Sequence, residues 1–372
     1  MTAKATLNRM QVITLGTLSI VNPEEGDVPF LSAASGVVWS GPRLYSVGDD
    51  QAALAEFVLD SFQLLEALRE GASRDILRPG VARRIIPDVL PLDPMARKEA
   101  KADFEALTIV RPDRIDTIPA DDVRVETRRR FPHGLLLVAG SGGVSWGGVR
   151  RSIGVAYSLD EEGHIVGLPA KFSLEGLHEY LEKHVVIGEL NVEGLCVHGQ
   201  HLVLAQRGNS LDQEGNPAPN MLIRLSLTEV MRSLYTDLKI DQCELEEVRS
   251  YDIGYLPLDK GEQSFDVKLD FTDVASVTAD PLGRLVFTAA AEGTGDPVEG
   301  EIAGSVVGVI GPEGNIDRMV PLADSTIKLE GVDARYNPAL GSIDLLLVSD
   351  ADDPGVPAPV MAARIPWEGA RA

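Results

Sequence analysis

Several kinds of residue and pattern are scarce in this chain, and each scarcity excludes something. Two cysteines in 372 residues, Cys196 and Cys243, form no ligand-type cluster and read as buried apolar residues rather than a disulfide framework. The six histidines (His133, His164, His178, His184, His198, His201) are scattered, so no zinc-type spacing appears. No apolar run reaches the roughly 20 residues that a membrane-spanning helix needs. The stretch from Val12 to Val21 lacks a continuous apolar core and a following small-residue cleavage site, so a cytoplasmic rather than secreted protein is expected. Positive charge is short: 34 Lys and Arg stand against 57 Asp and Glu, a net charge of −23. Phosphate-rich surfaces repel such a chain, so neither nucleic acid nor a membrane is expected as a partner. A divalent cation remains compatible.

What is present is turn-forming. Hydrophobic residues make up 44%, and the 36 Gly and 23 Pro fall between short apolar runs, which favours many strands over long helices. The stretch Asn191 to Asn209, NVEGLCVHGQHLVLAQRGN, reads as a β-hairpin: two apolar strands joined by a polar turn at Gly199-Gln200. Its plan recurs. Similar units begin at AASGVVWSGPRLYSVGDD near Ser35, at DFEALTIV with GLLLVAGSGG near Glu105, at DVASVTADPLGRLVFTAAAEG near Asp273, and at LEGVDARYNPALGSIDLLLVSDADD near Glu330. Each is followed by a further apolar strand.

Five such sheets, none able to bury its own faces alone, imply an all-β fold: a five-bladed β-propeller with short helical insertions. It is expected to be one domain over residues 1–372, with blades beginning near 33, 103, 191, 272 and 329. The last unit has only three obvious strands, so the strand within 9–20 is expected to complete that blade and close the ring. Helices are expected after Asp93-Pro94 (MARKEAKADF), after Ser173 (LEGLHEYLEKH) and after Ser226 or Thr228 (EVMRSLYTDLK). The last two are read as following the third strand of their blade.

In a four-stranded blade, the start of the inner strand and the loop after the second strand share one rim. Ser35, Glu105, Glu193, Asp273 or Ser276, and Glu330 would therefore ring the channel mouth. Carboxylates so close repel, so some are protonated, or water fills the tunnel, or a cation neutralises them. Oxygen ligands of this kind suit Ca²⁺, with hydrogen bonding to neighbouring blades as the plain alternative. Around the same rim, Arg150, Arg151, Arg207, Asn209 and the turn at Ser141 offer a site for an anionic, perhaps phosphorylated, small molecule. The plain alternative is that these arginines brace rim Asp and Glu side chains. The turn GSGG lacks the Gly-Lys-Ser/Thr ending of a P-loop, and no GxSxG elbow is present. The one hydrolytic mechanism the residues suggest is a metal-activated water with Asp49 or Asp50 as base.

The pattern Ser35, Glu105, Glu193, Ser276, Glu330, with the first-blade stretch ASGVVWSGPRLYSVGDD, resembles the calcium-activated nucleotidase (apyrase) family. That resemblance implies a five-bladed propeller whose ring holds a central Ca²⁺. The segments EGL…LVLAQRGN and AGSGGVSWGGVRRS, and the helix leading into NVEG, are similar to uncharacterised bacterial propeller families and to phytase-like esterase propellers, which implies the same fold. Three functional readings stay open: a cation-centred hydrolase of an anionic small molecule, a non-catalytic ligand-binding or protein-interaction scaffold, and a lactonase-like enzyme. Propellers host all three.

Overall fold

The computed structural model describes residues 9–367 except 24–27, 49–50, 86–95, 97–98, 120–121, 146, 242, 262, 294–300, 351–352 and 354. Of the expected helix MARKEAKADF, Met95, Arg97 and Lys98 lie outside the described residues; Ala96, Glu99 and Ala100 are helical, Lys101, Ala102 and Asp103 are not, and Phe104 already begins an inner strand.

Five antiparallel sheets follow one another along the chain. Blade I holds Ala34–Ser40, Arg43–Gly48, Ala53–Leu59 and Leu77–Arg84. Blade II holds Phe104–Val110, Leu135–Gly140, Ile153–Leu159 and Ile165–Ser173. Blade III holds Val192–His198, His201–Gln206, Asn220–Ser226 and Leu245–Tyr251. Blade IV holds Gln263–Ser276, Leu285–Gly293, Glu301–Ile310 and Ile316–Pro321, and gains a fifth strand, Tyr255–Lys260, paired with the first half of its long inner strand. Blade V holds Lys328–Asn337, Ser342–Asp350 and Pro359–Pro366.

The ring closes as expected. Ile13–Thr17 pairs antiparallel with Pro359–Ala362 as the outer strand of blade V. Leu15 and Leu18 are fully buried, and Ile20 bridges to Gly80 of blade I, so this one segment fastens the last blade to the first.

Burial explains the strand patterns. Inner and second strands are covered on both faces and read as near-continuous apolar runs, as in VEGLCVH and LLLVAG. Outer strands such as Leu245–Tyr251 alternate half-buried and exposed positions, because one face meets water. The inner strands of neighbouring blades pack at close range around the axis. A side chain at Gly194 would meet the Val274 amide nitrogen at 2.7 Å and the Asp273 carboxylate at 2.8 Å. At Gly331 it would meet the Gly36 Cα and the Val37 nitrogen at 3.0 Å.

Helices fill the gaps between blades. Leu227–Asp237 starts at Ser226, whose hydroxyl accepts the Glu229 N–H, and it packs its apolar face between blades II and III. Glu175–His184 follows the fourth strand of blade II, not the third, and fills the same gap. Three helices carried too weak a signal to be expected: Ser61–Glu70, Pro112–Thr117 and Asp122–Arg130. The last is mostly charged and presents only Val123 and Thr127 as buried positions.

The inner-strand spacing is testable by overpacking. Gly194→Val should destabilise the protein by about 1–3 kcal/mol in urea unfolding, because backbone of blade IV occupies the space a side chain needs.

Candidate functional site

Each inner strand carries a β-bulge near its start, and the five bulges are equivalent. Register slips between Ala34 and Gly36, Phe104 and Ala106, Val192 and Gly194, Phe271 and Asp273, and Leu329 and Gly331. The residues left over are Ser35, Glu105, Glu193, Thr272 and Glu330. A bulge frees one side chain from the alternation of the strand and re-aims it. The equivalent position in blade IV is thus Thr272, not Asp273 or Ser276.

Asp273 occupies the slot that is Gly or Ala in the other blades, and its carboxylate fits because Gly194 has no side chain. It is fully buried and accepts the N–H groups of Val274 (2.7 Å) and Val332 (2.8 Å). Burial pushes its carboxyl well above the ordinary range, against the pull of those two amides. Its role is to staple blades IV and V. Ser276 ends the same strand further along, beside Thr278 and Asp333.

The carboxylates at the bulge end are met by the chain's own cations. The Arg207 guanidinium lies 3.3 Å from Glu193 and 2.8 Å from Glu292, while Lys328 lies 3.7 Å from Glu292 and 3.1 Å from Glu330. A continuous series Glu193–Arg207–Glu292–Lys328–Glu330 therefore joins blades III, IV and V. Asn191 donates to Glu193 at 2.6 Å. On blade II, Asp103 accepts the Ser141 hydroxyl and pairs with Arg151 at 3.0 Å and Lys101 at 3.7 Å. On blade IV, Lys268 pairs with Asp270 and donates to the Gly208 carbonyl of blade III at 3.0 Å.

Burial sets the electrostatics. Glu193 is 5% exposed, and burial pushes its carboxyl up to about 7; Arg207 pulls the other way, and Glu330 and Asp103 add to the rise. Burial alone would lower Arg207, but Glu193, Glu330 and Glu292 hold it above its ordinary value. Glu292 is raised by burial and pulled back further by Lys328 and Arg207, so it ends below its ordinary value. Among the described residues, no group of three or more His, Cys, Asp or Glu is placed to hold a metal ion.

The other residues singled out from the sequence are scattered over this rim. Arg151 and Arg207 stand in the network. Arg150 turns away to the Gly142 carbonyl (3.0 Å) and to Glu182 of the neighbouring helix. The Ser141 turn uses its own donors: Gly143 N–H goes to the Ser141 hydroxyl and Gly142 N–H to the Arg151 carbonyl. Asn209 is exposed, Ser35 is buried and Glu105 is half-buried. Asp49 and Asp50 lie outside the described residues.

Sequence reading missed Lys328, Asp103 and Thr272. A signal was available in four of the five blades: two residues before the bulge, beyond one apolar residue, stand Asp103, Asn191, Asp270 and Lys328, in the strings DFEA, NVEG, DFTD and KLEG, while blade I has Ala33 there. Alignment on that polar–apolar–polar triplet places Thr272 in the ring.

The fold and this rim define the chain as a five-bladed β-propeller with an ion-paired channel mouth. By sequence it belongs to a Family of unknown function (DUF6910), matched over residues 97–354. No curated protein matches it. Among solved structures it is similar to a luciferin-regenerating enzyme at 10% identity and a TM-score of 0.36, covering 90% of this chain and 92% of that one. It is similar to an α-L-arabinofuranosidase from Fusarium graminearum at 12% identity and 0.39, covering 95% and 98%. It is also similar to the WD40 propeller domain of Doa1 at 11% identity and 0.32, covering 97% and 100%. At these TM-scores the likenesses say nothing of this chain's activity.

Two outcomes follow for the network. Glu193 keeps its proton to about pH 7 when folded, whereas an unfolded glutamate loses it near 4.5. Between those values the native state binds more protons, so stability falls as pH rises from 4.5 to 7, by on the order of 3 kcal/mol. Urea titrations across that range should show the fall, and Glu193→Gln should flatten it. Arg207→Ala, which strands Glu193 and leaves Glu292 only Lys328, should cost about 3–5 kcal/mol in the same assay at neutral pH.

Proposed function

We propose that the protein is a non-catalytic binding propeller, whose ion-paired mouth locks the blades together while its surfaces hold a ligand or a protein partner. The observation that carries this reading is the position of Arg207 and Lys328 between the carboxylates of blades III, IV and V. Charge that a bound cation would otherwise neutralise is already neutralised. A divalent ion entering here would have to break buried pairs, at several kcal/mol each. The arginines expected from the sequence to grip an anion are likewise engaged by Asp103, Glu193, Glu292 and Glu182.

One observation favours a second reading, a hydrolase. A carboxyl pushed up to about 7 beside further carboxylates in a concave mouth is the setting of a proton-transferring group. The resemblance to the calcium-activated nucleotidase family supports the same reading, with Ca²⁺ held by Ser35, Glu105, Glu193 and Glu330 and the cationic side chains moved aside. A lactonase-like activity would use the same mouth.

Purified protein should be incubated with nucleoside di- and triphosphates, a phosphate-ester panel and a lactone panel, with Ca²⁺ and with chelator. The binding-propeller reading expects no turnover and a melting temperature indifferent to Ca²⁺. Calcium-dependent turnover that disappears in a folded Glu193→Gln variant establishes the hydrolase instead.

A further inference from the structure

The opposite end of the channel holds a polar cluster built on different terms. Where the inner strand of blade I ends, the Trp39 carbonyl accepts from two arginines, Arg111 of blade II at 3.0 Å and Arg335 of blade V at 3.2 Å. Arg111 also donates to the Ser40 hydroxyl at 3.3 Å. The Arg335 guanidinium lies against the Trp39 ring, its Cζ 3.5 Å from the ring centroid. Three blades thus bring two guanidiniums to one oxygen.

Among the described residues neither is matched by an ion pair. The neighbouring carboxylate, Asp333, accepts the Trp39 N–H at 2.5 Å with one oxygen and the Ala334 N–H at 2.6 Å with the other. Among the described residues neither arginine lies within 4.0 Å of a carboxylate oxygen, in contrast to Arg151 and Arg207 at the other mouth. The Arg335 Nε is buried without a hydrogen-bond partner among the described residues, as are those of Arg151 and Arg207. Burial lowers Arg335 to about 10, Asp333 opposes the fall and Arg111 adds to it, so the group still carries its charge at neutral pH. A small cavity of about 60 Å³ opens between the inner strands on the Arg111 side of this cluster, lined by Thr108, Arg111, Ser276, Thr278 and Asp333 among others, with Arg335 outside its lining.

Two like charges held together in a partly dry site repel, and one carboxylate whose oxygens are already hydrogen-bonded relieves only part of that. In a chain of net charge −23 this is an unusual place to leave positive charge unpaired. A guanidinium fork pairs with planar or tetrahedral oxyanions, and the stacked indole fixes the direction in which Arg335 points. The threonine and serine hydroxyls supply further donors. We propose that this mouth is a binding site for a small molecule bearing an oxyanion, taken between Arg111 and Arg335. The site is separate from the Glu193 mouth and does not depend on whether that mouth is catalytic.

Inorganic phosphate and acetate, each titrated against chloride at matched ionic strength, are the probes, read by calorimetry and by melting temperature. Saturable binding of one or both is expected, and whichever binds names phosphate or carboxylate as the group recognised. Arg111→Gln and Arg335→Gln should each weaken that binding tenfold or more. Arg335→Lys, which keeps the charge but not the fork, tests the same point should the glutamine variant fail to fold. Arg150→Gln, at the other mouth, should bind as the parent does. Absence of saturable binding beyond the chloride control overturns the proposal, as does equal affinity in parent, Arg111→Gln and Arg335→Lys.

Discussion

The close approach of five inner strands around one axis is the constraint from which the rest of this molecule follows. Strands that near can be neighbours only where one of them carries a glycine or alanine, as at Gly36, Ala106, Gly194 and Gly331. The bulge just before each of those positions turns a polar side chain toward the mouth. Once Glu193 and Glu330 are gathered there and cut off from water, their repulsion has to be relieved. Arg207 and Lys328 do so from just past the second strand of blade III and from the first strand of blade V, and Glu292 links the two. Blade spacing, bulge, carboxylate and cation are therefore one arrangement, and none of its parts makes physical sense alone.

Much of this was legible before any coordinates. The repeated apolar pairs mark the blades because each is buried on both faces, and the missing fourth strand of the last unit identifies Ile13–Thr17 as the closing strand. Contacts between residues distant in sequence were harder to read. Arg207 looks the same in the sequence whether it grips a ligand or a carboxylate, and only folding brings Glu292 to within 2.8 Å of it. The fourth ring position was read as Asp273 or Ser276 because these are the conspicuous oxygen donors nearby, while Thr272, the residue at the bulge, reads as an ordinary strand residue. Helix Asp122–Arg130 was missed because its charge hides the two positions that anchor it.

The two mouths of the channel resolve their charge in opposite ways. At the bulge end, cations and anions alternate, and every arginine in the network has a carboxylate close by. At the far end, Arg111 and Arg335 share a carbonyl, and the nearest carboxylate is committed to backbone amides. A fold that can arrange Glu193, Arg207, Glu292, Lys328 and Glu330 in sequence has the means to neutralise two more arginines, and the surplus of 57 acidic over 34 basic residues makes carboxylates the commoner material. Local choices that run against stability without compensation concentrate where a protein binds something. On the binding-propeller reading proposed above, the paired mouth is the structural one. The mouth whose arginines lack carboxylate partners among the described residues, with its guanidinium stacked on Trp39, is on our further proposal where an incoming anion would complete what the chain leaves open.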